Sequence, residues 1–183
     1  MKNILSIVLA LLVALVLQGC NNNDLVEENK SMSKEEKLER IEEMYAEIRE
    51  DLTEIEDVTP AEIAEAYKKD EIIIVDVRDP DEQAISMIPG ALTKDVFEQK
   101  RKDGTLEDKP VVMHCTIGYR SGKYAQSVNE QGIDAKNLKG SLLLWTHEGL
   151  PLEKAGGTPT KEVHVYGEKW DLIPEGYVGV KKK

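Results

Sequence analysis

The chain predicts an α/β protein, with a parallel sheet covered by helices on both faces. Three observations carry that expectation. Ile72-Ile73-Ile74-Val75-Asp76-Val77 and Val111-Val112-Met113-His114 are short apolar runs rich in β-branched residues. Such runs mark strands buried on both sides. The stretches around them carry helix-start chemistry at one end and glycine at the other,. Strand and helix signals alternate in short units, and repeated βα units imply a parallel sheet.

The elements follow in order. Ser33 is placed to cap a helix, with Glu36 at the return position of a capping box,. Leu38, Ile41, Tyr45, Ile48 and Leu52 then recur at spacings of three and four, one apolar stripe on a long helix,. Glu36 and Arg40 stand at a favourable i,i+4 spacing,. The stripe is expected to pack on the domain; a self-associating helix is the alternative. Thr59-Pro60-Ala61-Glu62 is a second capping box with proline at the first helical position, opening a helix to about Lys69,. The Ile72 run is a strand, Asp79-Pro80-Asp81-Glu82 starts a short helix, and Ile88-Pro89-Gly90 is a turn,. Val96 to Lys102 is helical and ends at Asp103-Gly104. Val111 to His114 is the next strand, and Arg120 to Gln131 a helix closed by Gly132,. Ala135 to Leu138 is a short strand, and Ser141 to Glu148 a helix closed by Gly149.

The chain has 183 residues, 24 basic and 35 acidic, for a formal net charge of −11. The acidity is concentrated in residues 33–57, which hold eleven acids against four bases. Without a basic face, the composition argues against nucleic-acid binding. Met1-Lys2-Asn3 precedes an apolar run from Ile4 to Leu17, broken only by Ser6. A basic start and a short apolar stretch describe an export signal rather than a membrane span. Leu17-Gln18-Gly19-Cys20 resembles the lipobox of bacterial lipoproteins. That resemblance implies a signal peptide over 1–19 and a lipid on Cys20. It also implies a membrane-anchored protein on the non-cytoplasmic side, in the periplasm or at the cell surface. Residues 20–32 then read as a polar tether.

Lipidation of Cys20 leaves Cys115 as the only other cysteine. Cys115 ends the Val111 run, and a short loop with a glycine and an arginine follows before the next helix. That order puts a thiol at the C-terminal edge of a buried strand, where open α/β sheets bind ligands. It also faces the thiol with the amides of a helix start, which lower thiol pKa values and hold anions.

Four stretches together resemble the rhodanese-like sulfurtransferase family. They are Asp76-Val77-Arg78 with Glu82; Ile88-Pro89-Gly90-Ala91; the loop Cys115-Thr116-Ile117-Gly118-Tyr119-Arg120-Ser121; and Leu138-Lys139-Gly140-Ser141 with Trp145 and Gly149-Leu150-Pro151. Two positions depart from the family pattern. Ser86-Met87 stands where Gly-His is frequent, and Ser141 replaces the second glycine of a Gly-Gly pair. Neither is expected to touch the chemistry.

The resemblance implies a three-layer fold over 58–152 with a central five-stranded parallel sheet. It implies a Cys115 nucleophile that carries sulfur as a persulfide, with Thr116, Ile117, Gly118, Tyr119, Arg120 and Ser121 as the substrate-binding loop. The donor would be a small sulfur-containing anion such as thiosulfate, or a persulfide; the acceptor would be a thiol or cyanide. No cofactor and no metal are expected. Arg120 is expected either to hold a donor oxyanion or to brace the loop, and Asp76 is a candidate for supporting it. Arg78 and Glu82 read as an ion pair fixing the strand-to-helix turn. His114 should point away from the thiol, and His147 and His164 lie alone in sequence. A cysteine-dependent phosphatase is the alternative enzyme, but such loops place five residues between Cys and Arg and here there are four. A non-catalytic binding module is the alternative of another class. The segment 153–183 carries too much apolar surface for a free tail and is expected to pack on the domain.

Overall fold

The structure, a computed structural model, describes residues 28–181. The expected signal peptide, Cys20 and most of the expected tether lie outside the described residues. Within them, the tether expectation needs one correction. Residues 28–31 form a helical turn, and Asn29 is buried, its Nδ2 donating to the carbonyl of Glu168 at 2.7 Å. Polar composition suggests a tether, but a long-range hydrogen bond from Asn29 fixes this part of it.

The first long helix, α1, runs Lys34–Glu50 from a complete Ser33/Glu36 capping box. Glu36 is held by that cap, so the expected Glu36–Arg40 pair gives way to Arg40–Glu43 at 3.1 Å. The next elements are β1 (Asp57–Val58), α2 (Pro60–Lys68), β2 (Ile73–Asp76), α3 (Pro80–Gln83) and β3 (Leu92–Thr93). They are followed by α4 (Lys94–Lys102), β4 (Val111–His114), α5 (Tyr119–Asn129), β5 (Ala135–Leu138) and α6 (Ser141–His147). The five strands form one sheet in the order β1-β5-β4-β2-β3, every pair parallel.

Strand alternation sorts the core into two layers. Ile74, Val112 and Leu138 face a cluster built from α1, α2 and α6, including Ile41, Ile63 and the fully buried Trp145. Ile73, Val75, Val111 and Met113 face the other side, against Phe97 of α4 and Ala125 and Val128 of α5. The α1 stripe packs on the domain and reaches across to α5. A Cβ on Gly122 would lie 2.5 Å from Leu52 Cδ1, so the absence of a side chain at Gly122 lets the two segments meet.

The last segment is part of the same body. A hairpin of β6 (Glu153–Lys154) and β7 (Thr158–Pro159) leads to β8 (Glu162–His164), which pairs in parallel with β9 (Val178–Val180). Val163, Val165, Leu172 and Ile173 are buried in the cluster that holds Trp145. Met87 and Glu153 exchange backbone hydrogen bonds at 2.8 and 2.9 Å, tying the Ile88-Pro89-Gly90 turn to this segment. His147 Nε2 meets the Leu172 carbonyl at 2.7 Å, and Lys37 Nζ donates to the Ile173 carbonyl at 2.9 Å. The tail is therefore wedged between α6 and α1.

Leu172→Ala is expected to destabilise the whole protein by about 2–5 kcal/mol, the range for a buried leucine cut back to a cavity. Denaturant unfolding should show this as one shifted cooperative transition. A separate early transition, with the main one unmoved, would mean that the tail is not part of the core.

Candidate functional site

Cys115 follows β4 directly, and the loop 115–118 lifts the chain into α5. Gly118 is the residue before the helix, with φ +118°. A side chain there would be strained, and its Cβ would lie 2.6 Å from Tyr45 Cε2 of α1,. The glycine lets the loop curl its amides back on the sulfur while α1 packs behind it.

The thiol is 2% exposed. Gly118 N–H donates to Cys115 Sγ at 3.2 Å, and the Ser121 hydroxyl stands 3.5 Å away. Burial pushes the thiol pKa up. Hydrogen bonds from the Ser121 hydroxyl and amide and from the Gly118 amide, together with the Arg120 charge, outweigh it and hold the thiol below the ordinary cysteine value,. Of these, the amides carry more than the hydroxyl. Ser121 has one proton and its Oγ lies 2.8 Å from Asn137 Oδ1. Asn137 Nδ2 faces Tyr45 Oη at 2.7 Å and Asp57 Oδ1 at 3.1 Å, so its Oδ1 must accept from Ser121,. The thiol is thus linked through Ser121 and Asn137 to Tyr45 on α1.

The N-terminus of α6 braces the loop from the other side. Ser141 Oγ accepts the Cys115 N–H at 3.0 Å, and the Thr116 carbonyl accepts from Leu143 N at 3.2 Å. Ser141 has φ +43°, a left-handed backbone that favours glycine,. From sequence alone this departure is expected to be remote from the chemistry, and the structure corrects that. The serine hydroxyl satisfies the buried amide of Cys115 itself.

One ion-pair expectation changes, and with it the place of Asp76. Arg78 does not pair with Glu82. It forks onto Asp76, with Nε at 2.9 Å from Oδ1 and Nη2 at 2.6 Å from Oδ2, and Nη2 also reaches the Ser86 carbonyl. Arg78 is only two residues beyond Asp76, and its guanidinium folds back over the strand end. Asp76 therefore does not support the loop by contact. It is buried with Arg78 and with His114, whose Nε2 lies 3.7 Å from Asp76 Oδ2. Burial pushes His114 down, toward the neutral imidazole. Its Nδ1 meets the Cys115 carbonyl at 3.3 Å, and its side chain lies on the face opposite the core partners of Met113.

Glu82 instead takes Arg120. Nη1 and Nη2 of Arg120 lie 2.6 and 2.8 Å from the two carboxylate oxygens, a bidentate pair,. The Asp79 amide donates to Glu82 Oε2 at 3.0 Å, and His164 Nδ1 stands 2.9 Å from Oε1. Arg120 thus braces the loop through Glu82. Lys123, adjacent in sequence to the loop, extends to the Asp51 carbonyl at the end of α1.

Cys115 is among the lining residues of a pocket of about 430 Å³. Of the expected loop, Thr116, Ile117, Tyr119 and Arg120 line it, and Gly118 and Ser121 do not. Ile48, Tyr166 and Trp170 complete it, and sequence reasoning missed their role. The signal was partly visible for the tail. Alternation in Glu162-Val163-His164-Val165-Tyr166 puts His164 and Tyr166 on one face, with Val163 and Val165 buried on the other. Among the described residues, no group of His, Cys, Asp or Glu is placed to hold a metal ion.

Residues 59–148 match the rhodanese-like domain family. The chain is 33% identical over 100 residues to a putative sulfurtransferase, YtwF, of Bacillus subtilis, covering 54% of this chain and 97% of that protein. It is 32% identical over 90 residues to the thiosulfate sulfurtransferase GlpE of Coxiella burnetii, covering 48% of this chain and 84% of that protein. The crystal structure of a thiosulfate sulfurtransferase from Pseudomonas aeruginosa shares the fold. Its TM-score is 0.50 at 22% identity, over 57% of this chain and 21% of that one. The chain belongs to the rhodanese-like family, and its central five-stranded parallel sheet is that family's α/β fold.

The Glu82 clamp has a pH signature. Burial raises the Glu82 pKa, but Arg120 and the Asp79 amide override it and leave the carboxyl below its ordinary value. Between the folded and unfolded pKa values the unfolded state binds more protons, so stability rises with pH there. The contribution is complete above the unfolded value of about 4.3 and is lost as pH falls through the folded one. Glu82→Gln should be less stable at neutral pH yet lose less stability on acidification than the native protein. Denaturant midpoints measured from pH 7 down to the acid limit check this; parallel pH profiles would refute the assignment.

Proposed function

We propose that this protein is a sulfurtransferase that carries sulfane sulfur as a Cys115 persulfide. The observation that carries the reading is a buried thiol set in the loop that leads into α5. The Gly118 amide donates to it, and Cys115 lines the pocket. In the first half-reaction the Cys115 thiolate attacks the outer sulfur of a donor such as thiosulfate or a persulfide. The donor S–S bond breaks, a Cys115 Sγ–S bond forms, and sulfite or a thiolate leaves with the electron pair. The persulfide anion occupies the same amide-lined loop. In the second half-reaction a thiolate or cyanide attacks the terminal sulfur and restores the Cys115 thiolate. Covalent storage splits one difficult transfer into two easier ones. Loop amides fixed in advance stabilise the anion without reorganisation.

The phosphatase alternative is disfavoured by Arg120. In a phosphate-binding loop the guanidinium must face the anion, and here each of its terminal nitrogens donates one N–H to Glu82, which turns the fork toward that carboxylate. The loop also has four rather than five residues between Cys115 and Arg120.

The same proposal extends to location. Leu17-Gln18-Gly19-Cys20 after an apolar run supports export and lipidation of Cys20, with the domain held on the non-cytoplasmic side of a membrane,. A sole remaining cysteine in an oxidising compartment is then free of intramolecular disulfide pairing and available for sulfur transfer.

Two experiments test these readings. Incubation with thiosulfate should add one sulfur atom to Cys115, read by mass spectrometry, and release sulfite. Cys115→Ser should do neither while keeping its circular dichroism; thiocyanate release by that variant at the native rate would sink the assignment. Cys20→Ala should leave the membrane fraction or stay unprocessed, whereas processed variant protein that remains membrane-bound would contradict the anchor.

A further inference from the structure

The pocket that Cys115 lines is larger and more apolar than the smallest sulfur donors need. Its volume of about 430 Å³ is in the range of sites for small organic ligands,. Three of its lining residues lie outside the family match at 59–148: Ile48 from α1, and Tyr166 and Trp170 from the tail. Together with Ile117 and Tyr119 they line the pocket with side chains that are aliphatic or aromatic. Tyr119 and Tyr166 are 41% and 70% exposed, so two large rings stand in water at the rim.

The charge in the pocket points the same way. Among the described lining residues Arg120 is the only cation. Its fork is closed by Glu82 at 2.6 and 2.8 Å, and Asp79 stands 4.0 Å from the same guanidinium. The guanidinium carbon of Arg120 lies 5.8 Å from the ring centre of Tyr166, another lining residue. A small dianion entering here loses its hydration against a mostly apolar wall, and the one cation among the described lining residues is already paired with a carboxylate,. An apolar body covers the exposed rings and Ile48 instead, and burial of apolar surface is favourable. One lining residue also has an unused hydrogen-bonding group. Thr116 Oγ1, in the pocket lining, is buried with no hydrogen-bond partner in the protein.

We infer that this pocket selects sulfane-sulfur donors with an apolar, ring-sized body and at most one negative charge, over the thiosulfate dianion. Tyr166, Trp170 and Ile48, from the two segments flanking the family core, set that selectivity. The inference rests on the sulfur-transfer reading above and narrows its donor. For an organic thiosulfonate the step balances as follows. The Cys115 thiolate attacks the terminal sulfur, the S–S bond to the sulfonyl group breaks, and a sulfinate leaves with the electron pair. The product is the Cys115 persulfide anion, so one negative charge stays on the enzyme and one departs.

The test uses the full-length protein with cyanide as acceptor and three donors: thiosulfate, methanethiosulfonate and benzenethiosulfonate. The last two share charge and leaving-group type and differ in the ring. Rates with a free thiol correct for intrinsic reactivity. The corrected kcat/KM for benzenethiosulfonate should exceed that for methanethiosulfonate by about tenfold or more, the factor expected when a ring leaves water. It should also exceed that for thiosulfate. The benzene-to-methane ratio should collapse toward unity in Trp170→Ala and in Tyr166→Ala, and survive in Tyr166→Phe, which keeps the ring. A ratio near unity in the native protein, a preference for thiosulfate, or a ratio unmoved in both alanine variants would overturn the inference and leave sulfur transfer standing. If none of the three donors loads Cys115, both readings fall together.

Discussion

The buried carboxylate of Glu82 is the point on which the site depends. Its side chain is 3% exposed. A carboxylate taken out of water is costly unless it is paired and its lone pairs are filled. Here the Arg120 fork takes both oxygens, the Asp79 amide takes one of them, and His164 stands against the other. Those partners come from three places. Asp79 begins α3, Arg120 lies in the first turn of α5, and His164 ends β8 in the tail. One charge therefore joins the strand-to-helix turn after β2, the cysteine loop and the C-terminal segment. It also turns Arg120 from a free anion receptor into a brace. The positive field at Cys115 remains, but the hydrogen-bonding capacity of the guanidinium is directed sideways. The amides of the loop are left to hold the sulfur.

The loop is held as firmly from its other sides. Ser141 accepts the Cys115 amide, Leu143 donates to the Thr116 carbonyl, and Tyr45 fills the space that Gly118 leaves open. The line from Tyr45 through Asn137 to Ser121 makes α1 a support of the thiol's surroundings. Helix α1 and the tail, which flank the family core in sequence, converge over the site in space. Ile48 from one and Tyr166 and Trp170 from the other complete the pocket. Removing either segment would remove a wall of the site as well as part of the core.

Much of this was legible in the sequence because it is local. The Ser33–Glu36 and Thr59–Glu62 boxes are three-residue relations, and both form. The runs at Ile73–Asp76 and Val111–His114 are apolar without alternation, and both lie inside the sheet. The cysteine, glycine and arginine of the loop are adjacent and could be assigned together. The two-residue strands Asp57–Val58 and Leu92–Thr93 are too short to leave a periodicity, and only family resemblance supplied the count of five. The pairing of charges was not legible. Asp76, Arg78, Glu82 and Arg120 permit more than one pairing, and the choice is made by where α3 sets Glu82 relative to α5. His164 looked isolated because its partner lies far away in the chain. Ser141 looked like a tolerated substitution, because the amide it satisfies belongs to a residue twenty-six positions earlier.

The central claim is that the loop holds Cys115 as a reactive thiolate in spite of its burial. The most direct measurement is the pH dependence of alkylation at Cys115 in protein lacking Cys20, with each modified residue identified by mass. Converging amides and the nearby Arg120 charge predict a rate midpoint below the free-thiol value of about 8.5. A midpoint at or above that value would show that burial dominates and would contradict the account.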